Sequence, residues 1–242
     1  GMMLLMAMLS KTGVFEYLAI LAGQRSGGDP WRLLLLLGGL TAVVSMFLNN
    51  LTVIILVAPV TLLVADRLGL NPVPLIMGEA MLSNIGGTAT LIGDPPNTMI
   101  ASAAGFTFNH FLWVLLPIVI VAYLPTLWTI RWVFADEFRQ RSSQLNALNA
   151  LRPADSIKDA AALKKLLLVL GLVFGLFVLQ GSWALTPWYI AFLGVGLAMT
   201  WVRPNPEEIL KEIEWSTLLF FTCLFVIVGG LDAAGVMKLA AG

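Results

Sequence analysis

The sequence predicts an all-α polytopic membrane protein containing a re-entrant helical hairpin and a discontinuous transmembrane helix. Three observations carry that reading. Of 242 residues, 59% are hydrophobic and 12% charged, with mean hydropathy +0.90, whereas a soluble domain carries roughly 25% charged residues. Residues 33–65, 95–130, 166–202 and 215–231 hold no Asp, Glu, Lys or Arg, and about 20 apolar residues suffice to cross the hydrocarbon. Two polar interruptions, Asn49-Asn50 and the glycine- and proline-rich stretch 81–97, sit where apolar sequence surrounds them. The remaining composition narrows the function. Lys plus Arg number 14 and Asp plus Glu 14, so no basic patch points to nucleic acid. Cys223 has no partner for an internal disulfide, and no Cys/His cluster has metal-ligand spacing, so haem, zinc and P-loop chemistry are unsupported.

Full spans are expected near 75–103 (interrupted), 109–133, 164–180, 184–201 and 215–231. The apolar run 1–9 lacks the basic n-region and small-residue cleavage site of a signal peptide. Short loops rich in Lys and Arg stay in the cytoplasm, and residues 131–165 hold seven of the fourteen: Arg131, Arg139, Arg141, Arg152, Lys158, Lys164 and Lys165. The linker 136–163 is therefore expected in the cytoplasm. Counting crossings outward puts Lys11, Arg25, Arg32, Arg67, Arg203 and Lys211 on that side, with Lys238 opposite. Trp113, Trp132, Trp183, Trp188, Trp201 and Trp215 fall mostly near span ends, as an aromatic belt would. A multi-pass protein of the cell (plasma or inner) membrane is the expectation.

The hairpin occupies about 31–66. Its arms, Leu33–Leu48 and Leu51–Ala65, are each about 15 residues, roughly 23 Å of helix, which is shorter than the ~30 Å core. The turn is two amides, Asn49-Asn50, with no charged loop. A hairpin entering and leaving on the cytoplasmic side fits this pattern; two short tilted spans joined by a tight turn are the alternative.

The broken helix follows in Met81-Leu-Ser-Asn-Ile-Gly-Gly-Thr-Ala-Thr-Leu-Ile-Gly-Asp-Pro-Pro-Asn97. Proline removes a backbone donor and clashes with the preceding turn, and mid-helix glycine costs about 1 kcal/mol relative to alanine. A continuous helix through Gly93-Asp94-Pro95-Pro96 is excluded on those grounds. Irregular backbone at membrane depth survives only where protein or a cavity surrounds it, and such breaks hold substrates or coupling ions in secondary carriers. Asp94 adds a charge costing about 2.5–3.5 kcal/mol at the bilayer centre, able to ligate Na⁺ or carry a proton. The competing reading makes Asp94 the N-cap of a half-helix beginning at Pro95-Pro96. Glu79 is expected near the cytoplasmic mouth, in a mouth or packing role rather than direct ligation, and His110 as a structural interfacial residue.

A shift of 222 residues aligns the first twenty residues with the last twenty. Leu9, Gly13, Val14 and Ala19 meet Leu231, Gly235, Val236 and Ala241, and Ser10-Lys11-Thr12-Gly13 meets Asp232-Ala233-Ala234-Gly235. By crossing count the two copies end on opposite sides, the inverted topology of many secondary transporters. The expected organisation is most of a first inverted repeat in 1–135, the linker, and the start of a second repeat in 164–242. On that reading the chain is a fragment of a longer protein, with a second hairpin and broken helix to follow Gly242.

Two strings, SMFLNNLTVIILVAP (45–59) and SNIGGTATLIGDPPN (83–97), resemble the ion transporter superfamily. It includes citrate-transporter-like permeases, arsenite permeases, the melanosomal P protein and the related divalent anion:sodium symporters. The resemblance implies an inverted-repeat transporter rather than an enzyme. It implies substrate or ion contacts at Asn49, Asn50 and Thr52 in the tip, at Ser83, Asn84, Gly86, Gly87 and Thr88 before the break, and at Gly93, Asp94, Pro95, Pro96 and Asn97 within it. A Na⁺ site near Asn49, Asn50, Asn84 and Asp94 follows, with Na⁺ or H⁺ as coupling ion and no cofactor. Members of the family often form dimers, so a homodimer in the lipid bilayer is implied as well. The tip reads Asn-Asn-Leu-Thr where the dicarboxylate branch has Ser-Asn-Thr, and Asp94 stands where that branch has a small neutral residue. Both departures resemble the arsenite-permease and P-protein side. The expected activity is secondary transport of a small anion or oxyanion (arsenite-like or carboxylate) by alternating access. A Na⁺/H⁺ antiporter is the alternative within the superfamily; a passive channel and an intramembrane aspartyl protease are the other classes. Spans 109–133, 164–180 and 184–201 would form the scaffold, with 13–23 and 204–214 as amphipathic surface arms.

Overall fold

The computed structural model describes residues 1–140, 152–183, 186–211, 213 and 215–235. Their secondary structure is helical: α1 (Met2–Lys11), α2 (Val14–Ser26), α3 (Pro30–Ser45), α4 (Asn50–Leu68), α5 (Val73–Gly87), α6 (Pro95–Ala104), α7 (Phe108–Val133), α8 (Ala160–Trp183), α9 (Pro187–Val202), α10 (Pro206–Lys211) and α11 (Trp215–Ala233). Short 3₁₀ turns at Glu137–Arg139 and Pro153–Ser156 lie within the expected linker 136–163. Among the described residues, three helical segments are long and apolar enough to cross a membrane: α4, α7 and Ala160–Gln180 of α8. The pair α1–α2, bent by 63°, would make a fourth if it is one span. The expected span 184–201 is the shorter α9, and its first two residues lie outside the described residues. The expected span 215–231 falls within α11.

Local chemistry sets the helix ends. Asp29 accepts from the N–H groups of Trp31 (2.9 Å) and Arg32 (3.2 Å), with Pro30 at the first helical position of α3. Asn49 accepts from Leu51 N–H at 3.3 Å and so caps α4. Both hairpin arms differ from expectation. The first ends at Ser45, so the tip is Met46–Asn49 and Asn50 already opens the second helix. The second runs to Leu68, because the exposed Asp66 and Arg67 continue it and Gly69, at φ 64°, ends it. At 19 residues, about 28 Å, α4 exceeds the short arm expected over Leu51–Ala65.

The core is assembled around α3. Leu33, Leu34 and Leu37 pack with Val64, Ala65 and Leu68 of α4, Leu75 of α5, Ala19 and Ala22 of α2, and Ile130 of α7. Along α3 and α5 the contacts step together. A Cβ at Gly78 would meet Leu34, one at Gly38 would meet Leu82, and one at Gly86 would lie 2.7 Å from Ala42 Cα. Each step is four residues on both helices, so α3 and α5 run parallel and α4 returns antiparallel to them. Small residues at the seam allow this approach. The expected arm 13–23 lies in α2, which buries Phe15, Ala19, Ile20 and Ala22 and packs on α3 and α4.

On α8 the buried residues Leu166, Val169, Val173 and Phe177 form a single stripe. Val173 and Leu5 of α1 converge on Gly194 of α9. Phe174 packs against Phe47 of the hairpin tip at 4.2 Å between centroids with the rings tilted by 59°, and Phe177 lies 5.4 Å from Phe108 at the start of α7. The tip is thus braced from outside the hairpin.

Residues Gly1–Pro204 and Asn205–Gly242 form two units. In the second, the end of α11 repeats the local backbone at the end of α1. α1 stops at Lys11 and α11 at Ala233, positions paired by the 222-residue shift. Gly13 N–H donates to Ser10 C=O at 3.0 Å, and Gly235 N–H to Asp232 C=O at 2.9 Å. Both glycines take positive φ, 81° and 76°. Val236 and Ala241, also paired in the alignment, lie outside the described residues.

Candidate functional site at the hairpin tip and helix break

The break in the expected interrupted span lies between Gly87, where α5 ends, and Pro95, where α6 begins. Its parallel neighbour α3 ends at Ser45, so the hairpin tip arrives at the same level as the unwound segment. Asn50 is the hub. Its Oδ1 accepts from Ser45 Oγ at 2.6 Å, and its Nδ2 donates to Asn84 Oδ1 and Asp94 Oδ2, both at 2.8 Å. The buried Ser83 donates to Ser45 Oγ at 3.1 Å and lies 3.4 Å from Asn50 C=O. Asn84 is oriented by its own helix, donating to Ala80 C=O at 3.1 Å.

Side chains also hold the unwound backbone, as buried peptide groups require. Asn97 Nδ2 donates to the carbonyls of Gly87 (3.1 Å) and Thr90 (2.9 Å), and Thr98 Oγ1 to Leu91 C=O at 2.7 Å. Thr90 Oγ1 donates to Met46 C=O and accepts from the N–H groups of Ile92 (3.3 Å) and Gly93 (3.2 Å). Thr90 therefore ties the break to the tip. Gly87 and Gly93 permit the approach. A Cβ at Gly87 would overlap the Asn50 side chain, and one at Gly93 would lie 2.9 Å from Gly87 Cα.

Of the residues singled out in sequence, Asn50, Ser83, Asn84, Gly87, Gly93, Asp94 and Asn97 meet here. Asn49 instead caps α4. Thr88, the C-cap of α5, is exposed and donates to Ile85 C=O in the last turn of that helix at 2.7 Å. Gly86 serves the seam with α3, Pro95 and Pro96 open α6, and Thr52 sits half-buried in the first turn of α4. The reading of Asp94 as a side-chain cap is overturned. It occupies the N-cap position of α6, at φ −135° and ψ 144°, yet makes no side-chain cap bond, and its carboxylate goes to Asn50. Prolines at the first two helical positions remove two donors, and the third, Asn97 N–H, goes to the Asp94 backbone C=O at 3.1 Å.

Sequence reasoning assigned no role to Ser45, Thr90 or Thr98. Ser45 is the last helical residue of an apolar run, five positions before Asn50, and that placement was the available signal. Glu79 needs a larger correction. Rather than lining a mouth, it is fully enclosed, with its Oε1 accepting from Thr61 Oγ1 of α4 at 2.7 Å. Because α5 ends at Gly87, Glu79 lies one helical turn before Ser83 on the same face. His110 is exposed beside Phe106, 4.8 Å between rings, and borders an apolar cavity of about 240 Å³ with Ile100, Phe111 and Val114.

The family of citrate transporters, CitMHS, matches residues 1–242. The chain belongs to the citrate transporter family. Among its relatives, the 46 kDa membrane protein of Mycobacterium leprae is 41% identical over 238 residues, covering 98% of this chain and 56% of the relative. The magnetosome protein MamN of Magnetospirillum gryphiswaldense is 32% identical over 248 residues, covering 99% and 55%. The P protein of Mus musculus is 31% identical over 305 residues, covering 96% and 36%. The citrate-transporter chain spans about half the length of most of these curated relatives. Its family is one of transporters, not enzymes, and implies a small solute as substrate. The candidate spans and the membrane-protein relative place it in a membrane as a multi-pass protein.

Proposed function

We propose that this citrate-family chain is part of a secondary active transporter that moves a small anion or oxyanion, coupled to Na⁺ or H⁺, by alternating access. The observation that carries the reading is the convergence of Asn84 Oδ1 and Asp94 Oδ2 on one amide, Asn50 Nδ2, at 2.8 Å each. Two oxygens already drawn together at a helix break suit a coupling cation, which would take the place of the amide's donors. Helix α4, opening at Asn50, lends the positive end of its dipole to an anion alongside. The hairpin enters from the cytoplasmic side, and α3, α4 and α5 move as the transport element against a scaffold of α7, α8 and α9. The relatives' greater length accords with a second, inverted half that completes the solute site. A second copy of the protein is the proposed partner, in the plasma or inner membrane.

One feature favours a second reading, Na⁺/H⁺ exchange. The tip and break, 45–52 and 83–97, contain no Lys or Arg, and the prolines opening α6 remove the N–H groups with which a half-helix holds an anion. The full-length protein in vesicles separates the two. Under the first reading a Na⁺ or proton gradient drives accumulation of citrate, arsenite or a related anion, and Asp94→Asn abolishes the coupling. Under the second, Na⁺ alone exchanges for protons. Unchanged coupling and turnover in Asp94→Asn would remove the site from the mechanism.

A further inference from the structure

We propose that Glu79 is a proton-binding site of the transport element, protonated while α4 is seated on α5 and exchanging its proton when that contact opens. The proposal deepens the transport reading by giving the coupling proton a residue apart from Asp94. Glu79 is 0% exposed, its Oε1 takes the Thr61 hydroxyl at 2.7 Å, and among the described residues its Oε2 has no hydrogen-bond partner. Helices α3, α4 and α7 pack against α5, and none brings a countercharge. On α3 the sole ionisable group is Arg32, exposed in the first turn. On α4 they are Asp66 and Arg67, both exposed near the end of the helix. On α7, His110 and Arg131 are exposed, Arg131 lies over the Trp31 ring, and the Tyr123 hydroxyl faces Gly39. Asp94 is bonded to Asn50.

Ionised, this carboxylate would be a buried charge satisfied by one hydroxyl, the arrangement a protein interior penalises most. Protonated, it leaves one O–H without an acceptor, a cost of about 1–3 kcal/mol. A metal ion fits poorly, since the pocket offers two carboxylate oxygens and one hydroxyl where a hard cation such as Ca²⁺ takes six or more ligands. The proton is therefore the matching ligand.

The geometry also says what releases it. Gly38, Gly78 and Gly86 hold α3 close against α5, so we assign the opening to α4, which supplies Thr61 and shifts within the transport element. α4 contains Pro59, which interrupts its hydrogen-bond ladder two residues before Thr61. α4 also begins at Asn50, so one displacement breaks the tip contacts and wets Glu79 together.

Infrared spectroscopy of the full-length protein in lipid vesicles tests this without any solute. A protonated-carboxyl C=O band at neutral pH should vanish in Glu79→Gln, survive in Asp94→Asn, and move to higher frequency in Thr61→Val, which keeps the carboxyl but removes its donor. Transfer to D₂O should shift the band at least about tenfold faster in Asn50→Ala than in wild type, a step in opening of about 1.4 kcal/mol or more. A band indifferent to Glu79→Gln overturns the protonated site; equal exchange in Asn50→Ala and wild type overturns its link to α4. A wild-type protein that moves no ion or anion would defeat the transport reading, while these spectra would still decide the fate of Glu79.

Discussion

Replacing Asn50 by alanine removes one donor group and one acceptor that together join three segments. The bonds lost are Ser45 Oγ to Oδ1 (2.6 Å), Nδ2 to Asn84 Oδ1 (2.8 Å) and Nδ2 to Asp94 Oδ2 (2.8 Å). Two neutral bonds at about 0.5–1.5 kcal/mol and one to a charged group at about 1.5–3 sum to roughly 2.5–6 kcal/mol. That is a large fraction of a typical unfolding free energy of about 5–15 kcal/mol. The assay is denaturant unfolding of the full-length protein in detergent for Asn50→Ala, Asp94→Ala and the double variant. Residues in direct contact show interaction energies of about 0.5–3 kcal/mol in such a cycle. The double variant should therefore be less destabilised than the two single losses combined, because removing Asp94 also removes the carboxylate that Asn50→Ala leaves without its donor. Losses that add to within about 0.5 kcal/mol would show that the two side chains do not meet, and the reasoning built on their convergence would fall.

Further outcomes follow from the same geometry. Gly86→Ala places a methyl against the Ala42 backbone and should cost about 1–3 kcal/mol as the seam opens, whereas Gly175→Ala, with nothing within 4 Å, should be neutral or stabilising by up to about 1 kcal/mol; paired thermal melts of the two variants read the contrast. Thr90→Val removes the bond to Met46 C=O and the two N–H bonds it accepts, so hydrogen exchange at Ile92 and Gly93 should accelerate while that of α8 stays unchanged. Asp94→Asn keeps the shape and a hydrogen-bond acceptor for Asn50, so it should fold like the parent yet lose ion-driven flux; vesicle uptake under an imposed Na⁺ or proton gradient measures this.

Much of the fold is legible in the sequence because a membrane helix announces itself by an apolar run, and its ends by local chemistry. Asp29-Pro30 opens α3, Gly69 closes α4, and Gly105, at φ 69°, closes α6. The helix break is legible for the same reason, since Gly-Asp-Pro-Pro forbids the ladder within four residues. What escaped depends on partners distant in the chain. Met46, Phe47 and Leu48 are as apolar as the helix before them, and only distant partners, Phe174 and Thr90, explain why they form a braced tip. Local rules make Asp94 a cap, but Asn50, 44 residues away, claims its carboxylate. Distance along α5 placed Glu79 at a mouth, but α4 covers it through Thr61. Within the candidate site, sequence could name amides and glycines near a break; it could not say that Asn49 turns to cap a helix while its neighbour Asn50 becomes the hub.

The most direct measurement is a density map of the full-length protein with a transported ion or anion bound. The account predicts density for that solute against Asn50, Asn84 and Asp94, with the Asn50 amide displaced from at least one of the two oxygens. A solute seated elsewhere, with the Asn50 bonds to Asn84 and Asp94 intact, would contradict it.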